Sequence, residues 1–183
     1  MSPTVVNVVV VGDSQCGKTS LLTSFYNGYH RDDIPTFDDY VTLSMDVDGE
    51  PVALELRDTV SSEACRRFRL FWYMGSHVVI LVFAVDSPTS LNNVPLDWMP
   101  ELRRICPDVP VILVGNKKDL REDLRVSSVT VEDGKSMSLT ICAKYYIECS
   151  AVTGENVRRL FEIAAQAGMK NSKRTNKTKC VLL

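Results

Sequence analysis

The chain has 183 residues, 45% of them hydrophobic, which suits one globular domain and excludes a disordered chain. Its net charge of −2 conceals a split: residues 170–183 carry Lys170, Lys173, Arg174, Lys177 and Lys179 with no acid, while residues 1–169 hold 16 basic against 23 acidic side chains. An acidic body excludes a nucleic-acid-binding domain, and the basic tail leaves an anionic membrane surface as its candidate partner.

The N-terminus M-S-P-T-V-V-N lacks the basic region and cleavage site of a secretory signal, and no apolar run is long enough to predict a membrane span. V-V-N-V-V-V-V (5–11) predicts a buried strand, and 18–27 a helix with Leu21, Leu22 and Phe25 on one side. T-L-S-M-D-V (42–47) and V-A-L-E-L-R (52–57) alternate as strands, with a hairpin signal at Asp48-Gly49. The near-continuous apolar runs 77–85 and 109–115 suit parallel strands covered on both faces, and 145–150 is a further strand. Helices are predicted over 63–74, 95–105, 131–143 and 155–167. The helix over 95–105 is expected to begin near Pro95, because proline inside a helix costs about 3 kcal/mol, and to kink at Pro100. The order predicts an α/β fold of three layers, with a mostly parallel six-stranded sheet and helices on both faces. Six cysteines without a C-x-x-C pair fit a reducing compartment.

G-D-S-Q-C-G-K-T (12–19) fits G-x-x-x-x-G-K-[ST] between a strand and a helix. Backbone N–H groups over Gly12, Asp13, Ser14, Gln15, Cys16, Gly17 and on to Ser20 at the helix start are expected to cradle phosphate oxygens. Lys18 would reach the β- and γ-phosphates and Thr19 would ligate Mg²⁺. The base is read further on. Asp119 of N-K-K-D (116–119) can accept from guanine N1–H and its 2-amino group, a donor pair that adenine lacks. Asn116 can tie this loop to the phosphate loop, the Lys117 stem can lie over the ring, and the backbone of Ser150, Ala151 and Val152 can offer N–H groups to guanine O6.

With G-D-S-Q-C-G-K-T, I-P-T-F-D-D-Y (34–40), D-T (58–59), N-K-K-D, Y-I-E-C-S-A and a final C-V-L-L, the chain resembles the Rho family of small GTPases over nearly its whole length. Its phosphate-loop string looks most like that of the atypical, Rnd-type members. The resemblance implies a Ras-like fold, with residues 1–169 as the GTP-binding domain and 170–183 as a tail. It implies GTP or GDP with Mg²⁺ as ligands. Signalling would run through effectors of the actin cytoskeleton, polarity or trafficking, contacted by residues 34–40 and 60–74. Exchange factors, activating proteins and a dissociation inhibitor are the regulators it implies. Tyr29 would lie against the guanine, Thr36 would meet the γ-phosphate and Mg²⁺, and Asp58 would hold Mg²⁺ through water.

The chain departs from that family at the hydrolytic step. Where the family has Asp-x-x-Gly-Gln, this sequence has Ser61 and Ser62. A serine hydroxyl is too short to orient the attacking water as glutamine does, and Ser61 adds a Cβ where glycine permits close approach to the γ-phosphate. Ser14 replaces a phosphate-loop glycine and should crowd the same place. The expectation is very slow hydrolysis. The alternatives are an ordinary cycling GTPase, whose serines are tolerated loop variation, and a scaffold that binds nucleotide weakly. Thr36 is followed at once by Phe37, one residue short of the family's pattern, with Asp33 where an aromatic commonly covers the phosphates. R-E-D-L-R-V-S-S (121–128) is at most a remnant of the family's insert helix.

C-V-L-L fits a prenylation signal, implying a geranylgeranyl group on Cys180 reinforced by the basic run. The expected location is the cytoplasmic face of the plasma membrane or endomembranes, with a cytosolic pool. Cys16, beside a helix N-terminus, is either a redox-active thiol or a small packed side chain. His30, His77, Trp72 and Trp98 read as structural, and R-R-F-R (66–69) as one face of a helix.

Overall fold

The computed structural model describes residues 3–29, 40–59, 61–62, 65–122 and 128–181. Strand β1 (Thr4–Gly12) leads through the phosphate loop to α1 (Lys18–Tyr29). The hairpin β2 (Val41–Val47) and β3 (Glu50–Asp58) follows, turned by Asp48 and Gly49 at φ 55° and 81° as the Asp-Gly signal predicts. Then come α2 (Arg66–Tyr73), β4 (Val78–Ala84), α3 (Pro88–Asn93), a π turn (Val94–Trp98) and α4 (Met99–Ile105). The chain continues through β5 (Val111–Asn116), a 3-10 turn (Lys118–Glu122), α5 (Val131–Thr140), β6 (Tyr145–Glu148) and α6 (Val157–Val181). The last helix runs on past residue 169. None of the described helices is long and apolar enough to cross a membrane.

The sheet order is β2-β3-β1-β4-β5-β6. β2 pairs antiparallel with β3, and the other neighbours are parallel. Alternation along β1 divides the core: Val6, Val8 and Val10 pack under α1 and α6, while Val9 and Val11 pack under α2, α3, α4 and α5. On the first side Phe25 and Phe161 stack with ring centroids 4.0 Å apart. β4 and β5 are buried throughout, which is why they read as unbroken apolar runs, whereas β2 at the edge buries only Leu43, Met45 and Val47.

The helix expected to begin at Pro95 begins at Pro88. The Ser87 side chain caps it by accepting from the Ser90 N–H, and Pro88 occupies the first turn, where no N–H is needed. Pro95 is tolerated inside because the helix widens there. The Val94 N–H serves the Leu91 carbonyl, and the Met99 N–H reaches back five residues to the Val94 carbonyl. Pro100 lies in α4, so the irregularity sits at the π turn ahead of it.

β6 is fixed to the turn after β5 by a charge pair. Glu148, 9% exposed, accepts from both terminal nitrogens of Arg121, one at 2.8 Å, and from the Tyr146 hydroxyl at 2.6 Å. Burial pushes the Glu148 carboxyl up, but the Arg121 and Tyr146 hydrogen bonds outweigh it and hold it below the usual range. A lowered carboxyl stabilises the fold above the unfolded value of about 4.3, and that contribution is lost as pH falls through the lower folded value. Glu148→Gln should therefore cost about 2 kcal/mol at pH 7, less than a fully buried pair because Arg121 is partly exposed. Urea denaturation at pH 7 and pH 3.5 checks this. The gap between wild type and variant should shrink in acid, and an equal gap at both pH values would refute the linkage.

Candidate nucleotide site

The parallel strands deliver the predicted residues to one edge of the sheet. Gly12 ends β1, Asp58 ends β3 in register with Val10, Asn116 ends β5, and Glu148 ends β6 beside Ser150. The carboxyl edge of such a sheet is where α/β proteins bind ligands.

The phosphate loop is possible only with glycine at two points. Gly12 has φ 139°, and a Cβ there would lie 2.0 Å from the Val82 carbonyl oxygen. Gly17 has φ 85°, and a Cβ would lie 2.3 Å from Asn116 Nδ2. Asn116 Nδ2 donates to the Cys16 carbonyl at 2.9 Å, tying the N-K-K-D loop to the phosphate loop as expected. Ser14, Gln15, Thr19 and Ser20 are exposed on the loop and the first turn of α1. Cys16 is buried, and burial pushes its thiol up to about 11, so it is a packed thiol and not a thiolate at neutral pH.

Lys18 is 7% exposed and its ammonium donates to the carbonyls of Gly12 (3.0 Å) and Asp13 (2.8 Å) and to the hydroxyl of Ser61 (2.7 Å). The Thr19 hydroxyl donates to Asp58 Oδ2. Asp58 Oδ1 is buried with no hydrogen-bond partner, and burial pushes this carboxyl above its ordinary range despite Thr19 and Lys18. A hydroxyl and an underserved carboxylate oxygen side by side are hard oxygen donors that fit Mg²⁺, which characteristically takes one or two protein oxygens and leaves the rest to phosphate and water. Among the described residues no cluster of three His, Cys, Asp or Glu side chains could hold a metal by itself.

In the base-reading loop, Ser150 is fully buried and its hydroxyl donates to Asp119 Oδ1 at 2.5 Å, orienting an otherwise exposed carboxylate. Lys117, at φ 64°, reaches Asp86 Oδ2 at 3.0 Å. The Ser150 N–H donates to the Glu155 carbonyl at 3.1 Å. The side chain of Tyr29, together with Asp33, Thr36, Phe37 and residues 123–127, lies outside the described residues. So do the side chain of Cys180, Val60 and Glu63.

Ser61 is half-buried against Lys18, while the Ser62 side chain is exposed. The Ser62 carbonyl accepts from Arg69 Nη1 at 3.2 Å. Arg69 belongs to a buried relay that motif reading missed. It holds Glu101 through two hydrogen bonds of 2.8 and 3.1 Å, Glu101 also accepts from Tyr73 at 2.8 Å, and the Arg69 guanidinium lies 4.9 Å over the Trp98 ring. Trp98 Nε1 and Asn93 Nδ2 each donate to the Asp13 carboxylate at 2.7 Å. The one acid in the phosphate loop is thus held by two neutral donors from the π-turn region. An arginine, a glutamate and a tryptophan within a helix pair were the available signal, but not their partners.

The family model described as Ras family matches residues 7–170.

Proposed function

Because the chain belongs to the Ras family of small GTPases, and so carries a GTP-binding switch domain served by Mg²⁺, we propose that it is a Rho-type member whose hydrolysis of GTP is very slow. The observation that carries the reading is the convergence of Lys18, Thr19 and Asp58 at the mouth of the phosphate loop, with an Asp58 oxygen left without a partner. Thr19 and Asp58 would hold Mg²⁺, which when bound neutralises charge on the β- and γ-phosphates. Lys18 binds phosphate, Asn116 keeps the two loops together, and Asp119, set by Ser150, selects the base.

Slow turnover rests on what the chain supplies around the attacking water. Position 62 offers an exposed hydroxyl, and the hydroxyl at position 61 is engaged with Lys18. Neither residue reaches out to orient a water as a glutamine amide does. Ser14 adds a side chain at the exposed rim of the loop. For partners, α2 and its flank expose Phe68 (72%), Phe71 (68%) and Met74 (64%) within the 60–74 segment proposed to meet effectors. Such clustered apolar exposure suits a protein contact. Prenylation at Cys180, with the basic run beside an anionic leaflet, would place the domain on the cytoplasmic face of a membrane.

The test is single-turnover hydrolysis of pre-bound GTP with Mg²⁺, with the bound nucleotide identified by chromatography before and after. GTP intact after several hours is the expected result. Conversion to GDP at the rate of glutamine-bearing relatives would instead describe an ordinary cycling GTPase.

A further inference from the structure

We propose that the groove walled by the α4–β5 turn, the α5–β6 turn and α6 is a binding site for the phosphate headgroup of an anionic membrane lipid. The inference rests on the membrane reading of the basic tail. The groove, of about 730 Å³, lies where Val111 opens β5 and Tyr145 opens β6. It is therefore at the amino edge of the sheet, about 20 Å along β5 from the carboxyl edge that carries the nucleotide site, and a ligand there leaves that site uncovered. Three cations line it, Arg103 from α4, Lys144 from the turn before β6 and Lys170 from α6, against one acid, Asp108. Residues 1–169 hold 16 basic against 23 acidic side chains, so an anionic surface repels most of the domain and accepts it at a cationic corner such as this one.

The walls are preformed. Arg103 Nη1 donates to the carbonyls of Pro107 (2.7 Å) and Val109 (3.3 Å), and its other guanidinium N–H groups have no partner among the described residues. The Lys144 N–H donates to the Val111 carbonyl at 2.7 Å and the Ala143 N–H to the Ser138 carbonyl at 2.9 Å, fixing the second turn. The ammoniums of Lys144 and Lys170 are exposed and have no hydrogen-bond or ion-pair partner among the described residues. A phosphate monoester suits a planar guanidinium set between two ammoniums. The buried Val111 and Ala167 in the lining give the glycerol end an apolar contact. α6 carries the groove to the anchor, since Cys180 stands ten residues beyond Lys170, about 15 Å along the axis. On an upright helix that distance would exceed the Debye length of about 8 Å. The basic positions 170, 174 and 177 recur at the spacing of one helix face, so a helix lying along the surface brings tail and groove to it together.

Two measurements on the full chain test the site. In two-dimensional amide spectra, soluble dihexanoylphosphatidic acid should shift Asp108, Ala143 and Lys144 saturably, and bind about tenfold more tightly than inorganic phosphate because the groove adds apolar contact. On vesicles of phosphatidylcholine with about 20% phosphatidic acid, Lys144→Glu should weaken binding about five- to twentyfold, the scale of one basic residue reversed beside an anionic surface. Lys135→Glu, the same change of charge on α5 outside the groove, should stay within about twofold of wild type. Thermal melts establish that both variants are folded. Absence of saturable shifts would overturn the site, and equal affinity for inorganic phosphate would overturn the lipid as its ligand. Equal losses for the two variants would mean delocalised attraction and would overturn it as well. If the soluble lipid fills the groove while wild type ignores the vesicles, the headgroup site stands and the membrane reading of the tail falls.

Discussion

Ser61→Gly combined with Ser62→Gln should speed single-turnover hydrolysis of bound GTP by about tenfold to a hundredfold. The estimate starts from the 10²- to 10⁴-fold contribution of a well-placed group to proton handling and water orientation. It takes the low end because Ser14 still crowds the loop. The two substitutions act differently. Glutamine at 62 supplies an amide long enough to hold a water. Glycine at 61 removes the hydroxyl that engages Lys18 and restores a backbone able to approach the γ-phosphate closely. Ser62→Gln alone should recover less than the pair, and adding Ser14→Gly should raise the rate again. A double variant no faster than wild type would mean that the slow step lies elsewhere, and the two serines would then be tolerated loop variation.

What the sequence made legible follows from how local its signals are. The phosphate loop, the Asp-Gly hairpin and the buried strands are written in contiguous residues, and the structure has each of them. Asn116 could be tied to the phosphate loop in advance because motif spacing stands in for the 100-residue separation of its contact with Cys16. The start of α3 is also written locally, in Ser87-Pro88, a capping signal that the reading from Pro95 passes over. A tightened bond from the Val94 N–H serves the Leu91 carbonyl that Pro95 cannot, and a π turn follows, a solution that no propensity scale contains. The contacts that were not legible join residues far apart with no motif to index them. Lys18 meets Ser61 across 43 positions, Arg69 meets Glu101 across 32, and Asp13 meets Trp98 across 85. Trp98 read as a packing residue and is one, but its indole N–H also holds the phosphate-loop acid, and hydropathy carries no record of that second role.

Asp119→Asn should reverse the choice of base, from guanine toward xanthine. A carboxylate offers two acceptors, which match the N1–H and 2-amino donors of guanine. An asparagine offers one acceptor and one donor, which match the N1–H and 2-oxo group of xanthine. The geometry makes the exchange conservative. Ser150, buried and donating to Asp119 Oδ1 at 2.5 Å, can donate equally to an amide oxygen and so keep the side chain in place. Asn116 and Lys117 hold the surrounding loop through Cys16 and Asp86, independently of position 119. Sites that pair every donor of a base reject an analogue lacking one by about 10⁴-fold. The ratio of GTP to XTP affinity should therefore fall by roughly that factor, through weaker GTP binding and stronger XTP binding together. Competition of each triphosphate against a fluorescent analogue measures the ratio. Ser150→Ala should weaken GTP binding by about tenfold without favouring XTP, because it loosens the carboxylate and leaves its chemistry unchanged. If Asp119→Asn weakens both triphosphates alike, Asp119 supports the loop and does not read the base, and the recognition would have to reside in the backbone at Ala151 and Val152.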